Sequence, residues 1–363
     1  MVTPTESQLI DYFERSVHVA EMPISTFHCA GKIILSEHVH KKGFKVVLTG
    51  EGADEVFAGY AYFLVDYLRS IDNASRLLGI PLPTEEELTL LLKEREARGF
   101  PQDHISLGKF SFDDAVFGRD LLGGIWFHRF WAAQCVTVDI FTADVLMRHG
   151  PQDHTIIIAE GFLADSRLKM VNRVWHPLDS ALYTDCHSHL PNWGLNILGD
   201  RAEMANSIEG RPPFLDHCLS EYAQQLPPSM KLFPRCIVQD GRTSWEFTEK
   251  FVVREAVKPF VTEEVFNRRK VQYNSPIAHH VTENGSTKYF SSLQKYLKGR
   301  VSQEAVEKLG WANWIYIGEL LSDYLQSPAT PADGGLDKRA RLLLIVVSFI
   351  ILQEQFNIPT FTL

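Results

Sequence analysis

The sequence predicts a helix-rich α/β protein, on three observations. Phe44-Lys45-Val46-Val47-Leu48 is a short run rich in Val and Leu that meets glycines at Gly50 and Gly52, and the segment from Asp54 has helical character, so a buried strand feeds a helix. Leu9, Ile10, Phe13, Val17 and Ala20 recur near helical spacing, which predicts an amphipathic helix over 7–20. Leu342 to Leu352 is apolar but for Ser348, and eleven residues fall short of the about 20 that span a bilayer, so 337–356 reads as a buried core helix.

In chain order, Ser25 or Thr26 is expected to cap a second helix that runs through Ile33, Ile34 and Val39 and stops at Lys42-Gly43. It leads into the strand at 44–49. One strand alone is convincing in this part, and a parallel sheet needs neighbours, so Val46, Val47 and Leu48 are expected at an exposed or replaced sheet edge. Residues 54–70 read as one continuing helix, with Tyr60, Tyr62, Phe63, Tyr67 and Leu68 as core. Pro81 and Pro83 break the chain. Thr84 then caps a helix ending at Gly99, whose Glu85, Glu86 and Glu87 favour the helix dipole and are not a site. Residues 100–180 form a mixed stretch with helical segments near 119–134 and 139–149, read as a lid or a partner surface. Pro101-Gln102-Asp103-His104 recurs as Pro151-Gln152-Asp153-His154, but the residues after each copy differ, which argues against a repeat. Ser327–Gly335 reads as an exposed Pro- and Gly-rich loop.

Composition bounds the function. The 363 residues suit one large or two ordinary domains, and 45% hydrophobic residues are ample for a core. A net charge of -9 with a pI of about 5.9, and no run of Lys and Arg, speaks against nucleic acid as a partner. The five cysteines are widely spaced with no Cys-x-x-Cys pair, so neither a disulfide framework nor a zinc ribbon is indicated, and a reducing compartment fits. The first residues lack the basic and apolar regions of a signal peptide; a cytoplasmic protein without a membrane partner is expected. His187 and His189, separated by one residue, point apart on a strand and align poorly on a helix, so a polar segment is preferred over a zinc site. His38 with His40, and His279 with His280, are read the same way.

The chemistry concentrates in Thr49-Gly50-Glu51-Gly52-Ala53-Asp54-Glu55-Val56-Phe57-Ala58-Gly59-Tyr60, a strand-to-helix turn. The glycines allow close backbone approach and the following helix offers free N–H groups, which suits a phosphate. Three carboxylates in five residues would repel it unless a divalent cation lay between, the chemistry of a magnesium phosphate site. A tight turn followed by an acid-rich first helical turn is the alternative. Farther on, Glu209 and Arg211 flank a glycine before Pro212-Pro213, where a helix cannot continue, so both are expected at a helix end beside an extended turn. Arg211 either binds a carboxylate bidentately or pairs with Glu209 or Asp216 and pins the turn.

The Thr49–Tyr60 stretch resembles the Ser-Gly-Glu-Gly-(Ser/Ala)-Asp-Glu-(Val/Ile/Leu)-Phe-Gly-Gly-Tyr signature of glutamine-hydrolysing asparagine synthetases. Asp200-Arg201-Ala202-Glu203-Met204-Ala205-Asn206-Ser207-Ile208-Glu209-Gly210-Arg211-Pro212-Pro213-Phe214-Leu215-Asp216 is similar to that family's Asp-Arg-x-x-Met-Ala-x-Ser-x-Glu-x-Arg-x-Pro-Phe-Leu-Asp block. Arg268-Arg269-Lys270-Val271-Gln272-Tyr273 resembles its Arg-x-Lys-x-x-Phe segment. Three blocks in the family's order are more specific than any one, and the likeness runs from about Pro23 onward, with 72–175 matching poorly. Pro212 stands where Val is usual. The family's Cys-initiated glutaminase domain and its Ser-Gly-Gly-x-Asp-Ser pyrophosphate loop have no counterpart in the sequence.

The resemblance implies part of an ATP-pyrophosphatase-like domain with a mostly helical remainder: a partial nucleotide-binding α/β part over 1–71, an insertion over 72–180 and a helical part over 181–363. It implies ATP and Mg2+, with ATP activating a carboxylic acid, either aspartate or an acid of a specialised pathway, as an acyl-adenylate that ammonia converts to the amide. Glu51 would be the base, Lys270 the cation for pyrophosphate and oxyanion, and Asp54 the metal ligand. Thr49, Gly50 and Gly52 would hold ATP phosphates, and Asp200, Arg201, Ser207, Glu209 and Arg211 would line the acceptor or nucleotide pocket. The absent loop speaks against activity of this chain alone and for a glutaminase or pyrophosphate-loop subunit, or a second copy, as partner. A non-catalytic binding or regulatory subunit, or an incomplete relative, is the alternative.

Overall fold

The computed structural model describes residues 1–98, 120–126, 138–150, 154–268, 270, 280–283, 286–326 and 336–362. Gly99, Pro101–His104, Pro151–Asp153, 127–134, Arg269, Val271–Tyr273, His279 and Ser327–Gly335 lie outside them. The described part is a helix-rich α/β protein, as the sequence predicts.

The segment expected as one helix over 7–20 is two, α1 (Glu6–Asp11) and α2 (Phe13–Ala20), joined at Tyr12. The apolar stripe survives the break because Leu9, Ile10, Phe13, Val17 and Ala20 are all buried. The next helix, α3 (His28–Lys41), starts after Phe27 with no side-chain cap. Neither Ser25 nor Thr26 caps it, and the Thr26 hydroxyl is buried without a partner. The helix Lys338–Phe356 is a core helix, as expected, with its buried residues between Ala340 and Gln353 and its last turn, Glu354–Phe356, exposed. It packs with α1–α3, Ser292–Arg300 and Trp314–Gln326 into one apolar core. No helix among the described residues is long and apolar enough to cross a membrane.

β1 (Val46–Leu48) does have a neighbour. It pairs in parallel with β2 (Glu209–Arg211), Val46 opposite Glu209 and Leu48 opposite Arg211. Glu209 and Arg211 therefore sit in a strand, not at a helix end: Ser207, at φ +57°, turns the chain out of the short helix Ala202–Met204 into extended backbone. Among the described residues the pair forms a sheet of two strands, with Val46 and Leu48 exposed on it and Phe44 exposed just before it.

The helix read over 54–70 is also broken. α4 (Ala53–Val56) ends where Ala58 enters the left-handed region at φ +56°, and α5 (Phe63–Tyr67) starts afresh. Gly59 is needed at the break, since a Cβ there would overlap the Asp54 carboxylate. Tyr62, Phe63, Tyr67 and Leu68 are buried, as expected, in a second core. That core includes Leu88, Leu122, Ile125, Ala159, Phe162 and Met170 from the 72–180 region, together with the helix Pro177–His187. Thr84 does cap Glu85–Arg98, through a reciprocal pair with Glu87.

An antiparallel hairpin absent from the sequence reading joins β3 (Leu232–Gln239) to β4 (Arg242–Glu249). Its two-residue turn is Asp240-Gly241, both at positive φ, the geometry that such a dipeptide favours. A second hairpin pairs His280–Glu283 with Ser286–Phe290.

Candidate active site

Parallel pairing of β1 with β2 fixes the start of the turn: Thr49 N donates to Arg211 O at 3.0 Å just past the strand. The chain then bends at Gly52, where φ is +89° and the Leu215 side chain occupies the space that a Cβ would need. A two-sided constraint of this kind leaves only glycine at that position. Gly50 O accepts from Ala53 N at 3.3 Å, closing the turn into α4.

The two acids at either side of Gly52 face different cations. Asp54 accepts from Lys270 at 2.7 Å on one carboxylate oxygen and from Lys250 on the other. Burial pushes the Asp54 carboxyl up, but Lys270 and then Lys250 outweigh it and hold the group below its ordinary value. Lys270 also lies over the Tyr60 ring, 5.4 Å from its centroid. The segment just before it is held from the helix Phe251–Val257, where Arg254 donates to Phe266 O at 3.0 Å and to Arg268 O at 3.4 Å, and is itself paired with Glu249 at 2.6 Å. Lys250 occupies the left-handed position between β4 and that helix.

Glu51 instead meets Lys32 of α3 at 3.2 Å, and Lys32 meets Glu203 at 3.0 Å. The turn therefore divides by charge. Around Asp54 there are two ammoniums to one carboxylate; around Glu51 there are two carboxylates to one ammonium.

Below the turn is a buried acidic pair. Glu55 accepts from the Tyr60 hydroxyl at 2.6 Å, and its carboxyl is pushed up first by burial and then by Asp185. Asp185 is fully buried, paired with His189 at 3.2 Å, and its second oxygen has no partner. Burial raises this carboxyl too, against the pull of His189. His187 stacks on Tyr183 at 3.9 Å and bonds its carbonyl oxygen, so the two histidines serve different neighbours.

The second sequence block is only partly gathered here. Arg201 is turned to Glu21 at 2.8 Å and to Asn196 at 3.4 Å, at the end of the π-helical segment Leu190–Arg201. Asp200 and Ser207 are exposed. Arg211 pairs with Glu209 at 2.7 Å, both exposed, while Asp216 caps the helix His217–Gln225 through Leu219 N. Of the expected site residues, Thr49, Gly50, Glu51, Gly52, Asp54 and Lys270 come together, with Glu209 and Arg211 on the adjacent strand.

Lys250, Lys32, Glu203 and Arg254 are the charged residues missing from the sequence reading. Nothing in their local sequence marks them; long-range packing delivers them, with sequence separations of 196 for Lys250 and Asp54 and 171 for Lys32 and Glu203. Among the described residues, the side chains of metal-ligand type that converge are Asp216, His217 and Cys218, all exposed and apart from the Asp54 pairings.

The family model described as asparagine synthase matches residues 2–346. The chain is 30% identical over 363 residues to the amidase chyE of Penicillium rubens, covering 99% of this chain and 49% of that protein. It is equally 30% identical to the amidase chry2 of Gibberella zeae, with the same coverage. A putative glutamine-hydrolysing asparagine synthetase of Mycobacterium tuberculosis is 27% identical over 66% of this chain and 31% of its own length. The chain thus spans about half the length of the curated relatives it matches over its full extent. The turn, its far-off lysine and a match over nearly the whole sequence agree, and the chain belongs to the asparagine synthase family.

Proposed function

We propose that this chain supplies the turn and the lysines of an ATP-dependent amide-forming centre. A carboxylic acid, aspartate or a larger acid, attacks the α-phosphorus of ATP to give an acyl-adenylate and pyrophosphate. Ammonia then attacks the acyl carbon, a proton passes from nitrogen to base, and AMP leaves. The observation that carries this reading is the delivery of Lys270, 216 residues away in sequence, onto Asp54 of the glycine-bounded turn.

In this reading Lys250 and Lys270 offset the charge of the departing pyrophosphate and Lys270 stabilises the developing oxyanion, as fixed cations beside a forming anion do. Asp54 holds both ammoniums in place. Glu51, on the oppositely charged side of the turn, takes the proton from the attacking nitrogen. Thr49, Gly50 and Gly52 let the backbone approach the phosphates, and Glu209 and Arg211 face the acceptor side from β2. Magnesium fits Asp54 poorly, because both of its oxygens already accept from ammoniums.

The exposed β1 residues support a partner that adds strands, either a glutaminase-bearing subunit, which would also supply ammonia, or a second copy of this chain. The described cysteines are all free thiols, which supports a reducing, cytoplasmic setting. The fungal relatives named amidases favour a second reading, amide cleavage at the same turn.

Exchange of labelled pyrophosphate into ATP, measured with the acid present and ammonia omitted, beside total amide formation, tests the assignment. Glu51→Gln is expected to keep exchange and lose amide formation by ~10²–10⁴-fold. Lys270→Ala is expected to lose exchange itself, by ~10²–10³-fold. Equal loss of exchange in both variants removes Glu51 as the base, and ATP-independent amide hydrolysis by the parent selects the second reading.

A further inference from the structure

Lys32 has no role in the reading so far, yet it is the cation in contact with Glu51. Its ammonium lies 3.2 Å from a Glu51 oxygen and 3.0 Å from a Glu203 oxygen, so one nitrogen ties the turn to the segment that precedes β2. The two carboxylates are not equivalent. The Glu203 side chain is 9% exposed and the Glu51 side chain 30%, so one is fixed in the interior and the other remains reachable.

Glu203 is fixed by shape as well as charge. Its second oxygen fills the place where a Cβ on Gly210 would stand, so the missing side chain at Gly210 makes room for the carboxylate over β2. The helix carrying Lys32 is bolted to the same segment. Ser36 Oγ donates to Ala202 O at 3.0 Å, and Asn206 Nδ2 donates to Ile33 O at 3.0 Å and to Ser36 Oγ at 2.8 Å. Lys32 and Glu203 thus belong to one rigid frame, and Glu51 is the member presented from it. Burial opposes the charge on Lys32, but Glu51 and Glu203 outweigh it and hold the ammonium protonated.

We propose that Lys32, anchored by Glu203, is a positioning residue that sets where the Glu51 carboxylate stands for the amide-forming step; this rests on the reading of Glu51 as the base. A bridge serving stability alone would need one carboxylate. Here a buried carboxylate holds the lysine and leaves the lysine to hold an accessible one, the arrangement by which a supporting group fixes a reactive group. A misplacement of about 1 Å at a reacting group costs ~10²-fold in rate, so the effect is measurable.

The test uses the full chain and two readouts. In a ¹⁵N-labelled chain, the Lys32 Nζ resonance is expected to move in Glu51→Gln and in Glu203→Gln. In activity, Lys32→Met, which keeps the apolar stem, is expected to lower amide formation ~10²-fold while pyrophosphate exchange stays within about 2-fold, and Lys32→Arg is expected to restore most of the loss. An Nζ resonance unmoved by Glu51→Gln overturns the bridge while leaving the function standing. Equal loss of exchange and amide formation in Lys32→Met, or no loss of either, overturns the positioning role. A parent with neither activity, both alone and with a glutaminase and pyrophosphate-loop partner added, overturns the functional reading, and with it the purpose of the bridge.

Discussion

Glu55 shows how a single buried carboxyl reports on its surroundings. Its value is raised by burial and by Asp185, so the stability it contributes is complete at pH below the ordinary carboxylate range and is lost as pH rises through the raised folded value. Glu55→Gln keeps an acceptor for the Tyr60 hydroxyl and cannot ionise. The melting temperature of this variant, relative to the parent, is therefore expected to climb as pH rises above the ordinary carboxylate range; a difference in melts that does not change with pH there would mean that folding does not raise the Glu55 carboxyl. Asp54 has the opposite sign. Its lowered value means that its pairing with Lys250 and Lys270 stabilises the fold above the ordinary carboxylate range and fails as pH falls through the folded value.

Among the elements, the turn between β1 and α4 is constrained from two sides, by backbone conformation and by packing. Gly52→Ala would place a Cβ on a left-handed residue and into Leu215, and a loss of about 1–3 kcal/mol is expected from denaturant unfolding, whereas Gly50→Ala, with open space around it, is expected to cost less. An equal cost for both would show that the turn relaxes. The turn was legible in the sequence because its signal is local: a strand run, spaced glycines and an acidic start. The Thr84 cap and the apolar helix Lys338–Phe356 were legible for the same reason. The break between α4 and α5 was not, because Ala58 takes a left-handed conformation that its residue type disfavours. β2 was hidden since three residues, two of them charged, show no strand pattern until β1 lies beside them. The β3–β4 hairpin had its Asp240-Gly241 signal, but Pro234 and Arg235 interrupt the alternation that marks a strand. Lys32 and Lys250 were invisible because only the tertiary fold brings them to the turn.

At the scale of the whole molecule, the two-stranded sheet formed by β1 and β2 among the described residues is where association is predicted. Val46 and Leu48 are exposed, Leu48 at 77%, on a strand whose pairing stops at β2. Concentration-dependent self-association of the isolated chain is expected in analytical ultracentrifugation, and Leu48→Lys is expected to reduce it, since edge charges discourage strand addition. A parent that stays monomeric at high concentration would exclude this edge as a contact. The other large-scale feature is the meeting of distant segments in one core. Ile24 N bonds to Ser348 Oγ at 3.2 Å, and that hydroxyl donates back to Ile24 O at 2.9 Å, across 324 residues of sequence. During synthesis, α1–α3 leave the ribosome long before Lys338–Phe356 is made to pack against them. At about 5–20 residues per second the interval is on the order of tens of seconds. A message cut short before Lys338 yields a product without the helix that lies at the centre of this core.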